Sequence, residues 1–270
     1  MYLCRLIHGF TMKKYCLDLQ VVENRSLSDD YFLLKLTSYS QLPEMRPGQF
    51  VGIRVDHSPA TFLRRPISIH FVDWKKNELW LLIQCVGEGT LRMLSYEEGD
   101  TVNLLMPLGN GFTIPPFKYN VRALLVGGGV GIAPLLYLGK ELYDAGFITD
   151  FLLGFRRKDD MVQYADYRHI GHVYITTDDG SWGQKGFVTD HTLLQEETYD
   201  YIFTCGPKPM MVEVAKYAVS KGIPCEVSLE NTMACGFGAC LCCVEKTIEG
   251  HKCVCTEGPV FNINQLTWLS

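Results

Sequence analysis

The residues with the clearest chemistry are four cysteines near the C-terminus, Cys235, Cys240, Cys243 and Cys255, in CGFGACLCC…CVCTEGPVF. The first three follow C-x4-C-x2-C with a fourth nearby, the spacing of a plant-type [2Fe–2S] centre. Two irons and two sulfides need thiolates from several directions, so the loop must fold tightly around them. Gly236 and Gly238 permit the backbone angles and close approach this requires, and the loop amides can point at the sulfurs and tune the potential. A neighbouring hairpin supplies the fourth thiolate. Cys253 competes with Cys255 for that place; Cys255 is preferred because Thr256-Glu257-Gly258-Pro259 follows it as a turn able to aim its side chain at the loop. Two other readings stand beside this one. Zinc ribbons use pairs of C-x2-C, and here only Cys240 and Cys243 make such a pair. A disulfide knot is not expected in a chain without an export signal. A [2Fe–2S] cluster moves one electron at a time, so the rest of the chain must supply a donor, an acceptor or both.

Length and charge narrow what that remainder can be. A chain of 270 residues exceeds one typical domain and fits two or three. At 47% hydrophobic and 20% charged it has the make-up of an ordinary soluble globular protein, and a net charge of −5 gives no support for nucleic-acid binding. Eleven cysteines, with an N-terminus MYLCRLIHGF that lacks a hydrophobic signal region and a cleavage site, point to a reducing cytoplasm. Met12 opens the first strand-like run, so residues 1–11 are expected to be an upstream extension or a disordered tail. Residues 123–139, ALLVGGGVGIAPLLYLG, carry no charge and are nearly long enough to span a bilayer. Three consecutive glycines and Pro134 argue instead for a buried strand, a glycine turn and a helix; no membrane span is expected.

The first third reads as all-β. YCLDLQVVENRSL, YFLLKLTSYS, GQFVGIRVD, RPISIHFVD, LWLLIQCV and TVNLLMPLG are short apolar runs separated by turn residues, and six strands at this spacing predict a small antiparallel barrel. One short helix is expected over 89–94. After Ile114-Pro115-Pro116 the rhythm becomes strand, helix, strand: VRALLVGGG, a helix over 134–144, ITDFLLGF, HVYITTDDG, a helical stretch over 188–195, YIFTCG, a helix over 209–221 and CEVSLE. Such alternation predicts a parallel sheet covered by helices, with ligands at the carboxyl ends of its strands.

Two further motifs lie where a nucleotide would bind. Gly127, Gly128, Gly129 and Gly131 in GGGVGIAP follow a strand and open a helix, the context of a phosphate loop. They do not complete G-x-G-x-x-G, and a merely tight strand–helix turn is the simpler alternative. Cys205-Gly206-Pro207 closes a second strand of the same unit and adds weight to the first reading. In the barrel, LRRPISI sets Arg65 and Ser68 around Pro66. A guanidinium fork suits a pyrophosphate, and Ser68 could meet the edge of a flavin ring. An edge strand with solvated arginines is the plain alternative. Gly89 and Thr90 in GEGT start a helix whose free amides favour a phosphate.

Together RRPISI, VGEGT, GGGVGIAP, TDDGSWGQKG, CGPKPMM, SLENTMACGFGACLCC and CTEGPVF resemble the ferredoxin–NADP reductase superfamily. Within it the chain is similar to the electron-transfer subunits of NAD-dependent (type B) dihydroorotate dehydrogenases, from about Met12 to the end. Two features depart from that family: the N-terminal extension, and Cys242, which stands where glycine is usual and so bears on the local backbone shape. The resemblance implies three domains: a β-barrel FAD domain at 12–114, an α/β NAD domain at 117–224 and a small [2Fe–2S] domain at 225–270. It implies FAD on Arg65, Pro66, Ile67 and Ser68, along Leu82, Ile83 and Gln84, with Gly89 and Thr90 at the phosphates. It implies NAD across the GGGVG and Cys205-Gly206-Pro207 turns, with Cys205 near the nicotinamide. It also implies an FMN-bearing catalytic partner that oxidises dihydroorotate in pyrimidine synthesis, in a heterotetramer. Electrons would pass singly through the cluster to FAD and leave as hydride to NAD. No catalytic side chain is expected in this chain. Arg156 and Arg157 could greet the 2′-phosphate of NADP, Asp159 and Asp160 oppose it, and solvated surface charge is the plain reading of all four. Alternatives are the small subunit of an NADH-dependent ferredoxin:NADP oxidoreductase or of a sulfide dehydrogenase, and a zinc-binding adaptor without enzymatic activity.

Overall fold

The computed structural model describes residues 13–56, 60–116 and 120–269; residues 1–11, expected to be an extension or tail, lie outside them. The N-terminal part comprises β1 (Tyr15–Ser26), β2 (Tyr31–Thr37), β3 (Phe50–Ile53), β4 (Arg65–Ser68), β5 (Phe71–Asp73), β6 (Glu78–Gln84), helix α1 (Glu88–Leu94) and β7 (Thr101–Leu108). Every strand pair in it is antiparallel, in the order β4-β3-β7-β1-β2-β6-β5. Inward positions are apolar: Leu19 and Val21, Val51 and Ile53, Leu79 and Leu81 all lie in one buried cluster, as the alternation of strand side chains demands.

RPISIHFVD, which reads as one strand, is two. Strands β4 and β5 adjoin in sequence yet occupy opposite edges of the sheet. The Ile69 N–H donates to Gln49 O at 2.9 Å and the His70 N–H to Trp80 O at 3.0 Å. Two residues therefore carry the chain from one edge to the other, which requires the sheet to curl into a barrel.

The second part continues with β8 (Arg122–Gly128), α2 (Ala133–Asp144), β9 (Ile148–Phe155), α3 (Tyr164–Ile170), β10 (His172–Thr177), β11 (Gln184–Lys185), α4 (Leu193–Glu196), β12 (Tyr201–Cys205), α5 (Lys208–Lys221) and β13 (Cys225–Ser228). The uncharged run at 123–139 is thus strand, tight turn and helix. No described helix is long and apolar enough to cross a membrane. The helical stretch expected over 188–195 breaks in two, a 3-10 turn at Val188–Asp190 and then α4. Asp190 Oδ2 accepts the Phe187 N–H at 2.9 Å, a local bond that competes with helix continuation.

The chain ends with β14 (Val244–Thr247), β15 (Gly250–Cys253), α6 (Val254–Glu257) and β16 (Val260–Asn262). The second sheet runs β11-β10-β9-β8-β12-β13-β16, parallel except for β16. Strands β13 and β16 therefore lie in the nucleotide-type sheet, although both fall within residues 225–270, while the cysteine loop, the β14–β15 hairpin and α6 stand outside it. Strand order reverses beside β8, which is flanked by β9 and β12. That switch point opens a crevice at the carboxyl ends of β8 and β12.

Candidate functional site

A cavity of about 320 Å3 opens between the barrel, the start of α2 and the segment after β13. From the expected flavin residues, Arg65, Pro66, Ile67, Ser68, Leu82, Ile83, Gln84 and Thr90 all line it. Gly89 stands at its side: a Cβ there would come within 3.0 Å of Arg65 Nε, so the absence of a side chain leaves the guanidinium its place. Neighbouring Arg64 is committed to structure, donating to Gly52 O at 3.2 Å and Asn103 O at 3.0 Å. Arg65 is the one cation on the wall among the described residues. The Thr90 hydroxyl is spent locally, accepting from the Val86 and Gly87 amides and donating to Gly87 O; it shapes the turn that opens α1. A single cation at one end and Leu82, Ile67 and Val86 along the wall suit a ligand with an anionic end and a flat apolar body.

The adjoining cavity measures about 560 Å3 and lies at the switch point. Gly128, Gly129 and Pro207 line it, together with Tyr31 from the barrel. The other expected residues act from behind. A Cβ on Gly127 would press on Ile132 and Leu135 at 3.0 Å. One on Gly131 would lie 2.5 Å from Gly206 Cα and 2.6 Å from the Cys205 carbonyl carbon, so Gly131 lets the turns after β8 and β12 touch. Cys205 is fully buried, with Sγ 3.7 Å from Glu230 Oε1. Burial, then the Glu230 charge, pushes its thiol well up. Arg156 lines this cavity alongside Asp160 and Asp178, while Arg157 is tied to Asp160 at 3.4 Å. Asp160 is only 9% exposed, so it is not the solvated surface charge its sequence context suggests.

Several lining residues went unread in the sequence. Glu230 borders both cavities, and Asn231, Met233 and Pro259 border the first. Burial raises the Glu230 carboxyl above its ordinary value. The available signal for Glu230, Asn231 and Met233 was position, since they follow the carboxyl end of parallel strand β13; Pro259, just before antiparallel β16, carried none. Phe50 and Tyr31 carried no such signal, since both look like ordinary barrel residues.

In the cysteine loop, Gly236 and Gly238 have φ of 77° and 89°. Gly236 packs toward Leu108 and Phe50, and Gly238 lies against Thr256 of α6. The thiols fall into two pairs, Cys235 with Cys240 and Cys243 with Cys255. Burial pushes Cys235 up, but the amides of Phe237 and Cys240, the Cys240 thiol and the Ala239 amide outweigh it and pull it down to about 6. Ala239 N lies 3.3 Å from Cys235 Sγ and Cys255 N 3.3 Å from Cys243 Sγ. Among the described residues no three His, Cys, Asp or Glu side chains converge enough to hold one metal ion. Two pairs of thiols and inward amides suit a two-iron centre. Cys255 is buried against the loop, while the Cys253 amide donates to Glu257 Oε2 at 2.8 Å. The turn after Cys255 is a short helix closed by Pro259. Cys242 has no left-handed backbone; that conformation falls on Leu241, with φ of 58°, so a side chain at 242 is accommodated.

The cysteine loop and the first cavity share a wall. Phe50 lines the cavity, and its ring lies 4.0 Å from where a Cβ on Gly236 would stand. Residues 228–231 and Met233 lead from that wall directly into Cys235.

Comparison with known proteins bears on this arrangement. Residues 230–267 match the family model described as the iron-sulfur cluster binding domain of dihydroorotate dehydrogenase B. The chain is 37% identical over 253 residues to the dihydroorotate dehydrogenase B (NAD(+)) electron transfer subunit of Shouchella clausii, covering 92% of this chain and 96% of that one. Its counterpart in Fusobacterium nucleatum is 38% identical, over 90% and 95% of the two chains. Among solved structures, one described for the NADH-dependent reduced ferredoxin-NADP oxidoreductase aligns with a TM-score of 0.83 and 32% identity, over 93% of this chain and 90% of that one. The ferredoxin reductase of carbazole 1,9a-dioxygenase, 22% identical over 79% and 68% with a TM-score of 0.65, shares the fold. A barrel, a switch-point crevice and a paired-thiol loop with these relatives place the chain in the family of dihydroorotate dehydrogenase B electron transfer subunits.

Proposed function

We infer that this chain carries electrons from a dihydroorotate-oxidising catalytic subunit to NAD, through a [2Fe–2S] cluster and FAD. The supporting observation is the common wall: Phe50 and residues 228–233 join the cavity of the expected flavin residues to the cysteine loop. When bound, the flavin exchanges single electrons with the cluster and hydride with nicotinamide. The protein's part is positioning. Arg65 holds the pyrophosphate, and Leu82, Ile83 and Gln84 flank the flavin nucleotide beside Pro66, Ile67 and Ser68. Gly89 leaves room for Arg65, and Thr90 shapes the adjoining turn. Gly128, Gly129 and Pro207 face the nicotinamide dinucleotide; Gly127, Gly131 and Gly206 hold that crevice in shape. Glu230 meets the Cys205 thiol at the seam of the two cavities and orients it there. Cys235, Cys240, Cys243 and Cys255 hold the cluster.

The partner bears FMN and forms a heterotetramer with this chain in the cytoplasm. It docks near the cysteine loop, where Phe237 and Leu241 are 49% and 63% exposed, because electron transfer needs a short path. The structural likeness to an NADH-dependent ferredoxin-NADP oxidoreductase component favours a second reading, in which the partner is a larger flavoprotein. Co-expression with an FMN-bearing dihydroorotate-oxidising subunit separates the two. The first reading expects a co-purifying complex that reduces NAD with dihydroorotate and loses FAD in the Arg65→Ala variant. A chain that ignores that subunit, or an Arg65→Ala variant with full FAD content, overturns it.

A further inference from the structure

Glu245 lies on β14, outside both cavities, yet its side chain is only 13% exposed and gathers donors from three separate segments. Its Oε1 accepts from Lys208 Nζ at 3.1 Å and from Trp268 Nε1 at 3.3 Å. Its Oε2 accepts from Asn231 Nδ2 at 2.9 Å. Lys208 also stands over the Trp268 ring, 5.3 Å from its centroid. Lys208 directly follows the Cys205-Gly206-Pro207 turn, Trp268 belongs to the C-terminal turn, and Asn231 lines the first cavity.

A carboxylate paired with the Lys208 ammonium at 3.1 Å only accepts hydrogen bonds. Asn231 must therefore turn its NH2 group to Glu245, and its orientation is not free to flip. The remaining polar atom of the amide, Oδ1, is an acceptor on a residue of the cavity wall. An isoalloxazine ring carries N–H groups at its edge, and an acceptor fixed in advance binds one without reorganisation cost.

We propose that Glu245 is a positioning residue for the flavin: it fixes the Asn231 amide so that Oδ1 accepts a hydrogen bond from an N–H of the bound ring. This rests on the reading that the first cavity takes the flavin. A glutamine at 245 can donate as well as accept, so it releases the amide to adopt either orientation while keeping the side chain's size.

The test uses the full chain loaded with its flavin and cluster, and reads FAD dissociation and the flavin midpoint potential. Asn231→Leu should weaken FAD binding about fivefold, the worth of one neutral hydrogen bond; Glu245→Gln, which leaves the amide two orientations, should weaken it by about twofold and move the potential in the same direction. The double variant should bind FAD no more weakly than Asn231→Leu alone, because Glu245 acts only through the Asn231 amide. Trp268→Phe removes another donor to Glu245 and serves as the structural control; it should lower the melting temperature and leave the potential unchanged. Wild-type affinity and potential in Glu245→Gln, or additive losses in the double variant, overturn the proposal. If Arg65→Ala still retains full flavin, the failure lies instead in the placement of the cavity's ligand.

Discussion

Gly131→Ala gives the sharpest test of how the nucleotide crevice is built. The added Cβ would lie 2.5 Å from Gly206 Cα and 2.6 Å from the Cys205 carbonyl carbon, whereas ordinary contact begins at 3.4 Å. Both neighbours are backbone, so no side chain can rotate away, and the turns after β8 and β12 must part by 3.4 − 2.5, about 1 Å. Overpacking of this kind costs about 1–3 kcal/mol. That amounts to an apparent Tm lower by roughly 2–12 °C in a chain of this size. The same 1 Å lies between the two turns that flank the crevice, and a misplacement of that size can slow a reaction by about 100-fold. Gly129→Ala provides the contrast. Its φ is +55° and the nearest atom to a new Cβ is Tyr31 OH at 3.9 Å, so it carries a backbone cost of about 1–2 kcal/mol without parting the turns. Stopped-flow reduction of the bound flavin by NADH, alongside thermal melting, reads both effects. The expected result is a large loss of rate at saturating NADH in Gly131→Ala, whereas Gly129→Ala, whose new methyl stands at the cavity wall, should lower the melting temperature and weaken NADH binding but keep its rate at saturation. A Gly131→Ala protein that melts and reacts like wild type would show that the two turns are not held in contact.

Two further outcomes are expected. Cys255→Ser should lose iron and acid-labile sulfide while Cys253→Ser retains both; the opposite pattern, read by metal and sulfide analysis, would reassign the fourth ligand. His70 is fully buried, with Nδ1 2.7 Å from Ala133 O and Nε2 2.9 Å from Gln163 Oε1, and burial holds its pKa down to about 4 from 6.5 despite those two contacts. The two facing oxygens favour a ring that donates through both nitrogens, but burial of the charge outweighs them and resists the second proton. The unfolded chain takes up this proton first, so the stability present above pH 6.5 declines as the pH falls toward 4. The decline is about 3 kcal/mol from this group. His70→Gln should flatten that part of the pH–stability curve, and an unchanged slope would refute the assignment.

Much of the fold was legible because local pattern and tertiary environment agree. Strand alternation in QFVGIRVD and the uncharged run ending in GGGVGIAP each translated directly into their elements. The failures have physical causes. RPISIHFVD has strand-like residues throughout, and only long-range pairing, Ile69 to Gln49 and His70 to Trp80, shows where it changes edge. Helix α3 was missed because YADYRHI carries few apolar residues; Tyr167 and Ile170 alone are buried. The cysteine and flavin motifs were readable because their chemistry constrains spacing along the chain. Glu230, Asn231, Phe50 and Tyr31 come to the crevice from different segments, and no linear spacing announces such a meeting. Glycines that look like ligand cradles divided into two classes, Gly128 and Gly129 at the cavity and Gly127 and Gly131 behind it, a division set by packing across the turn.

Strands β13 and β16 are paired neighbours, with Ser228 opposite Val260. Everything between those two residues, including all four proposed iron ligands, is an excursion that leaves the sheet and returns to the adjacent position. Neighbouring strands lie about 4.8 Å apart, so excising the excursion would leave two ends that an ordinary hairpin turn could join. The metal-bearing portion is in this sense an insertion that spares the main sheet: its own strands, β14 and β15, form a separate two-stranded sheet, so damage confined to that hairpin has no strand of the main sheet to unzip, although its two ends, from Leu229 to Met233 and at Pro259, also wall the first cavity.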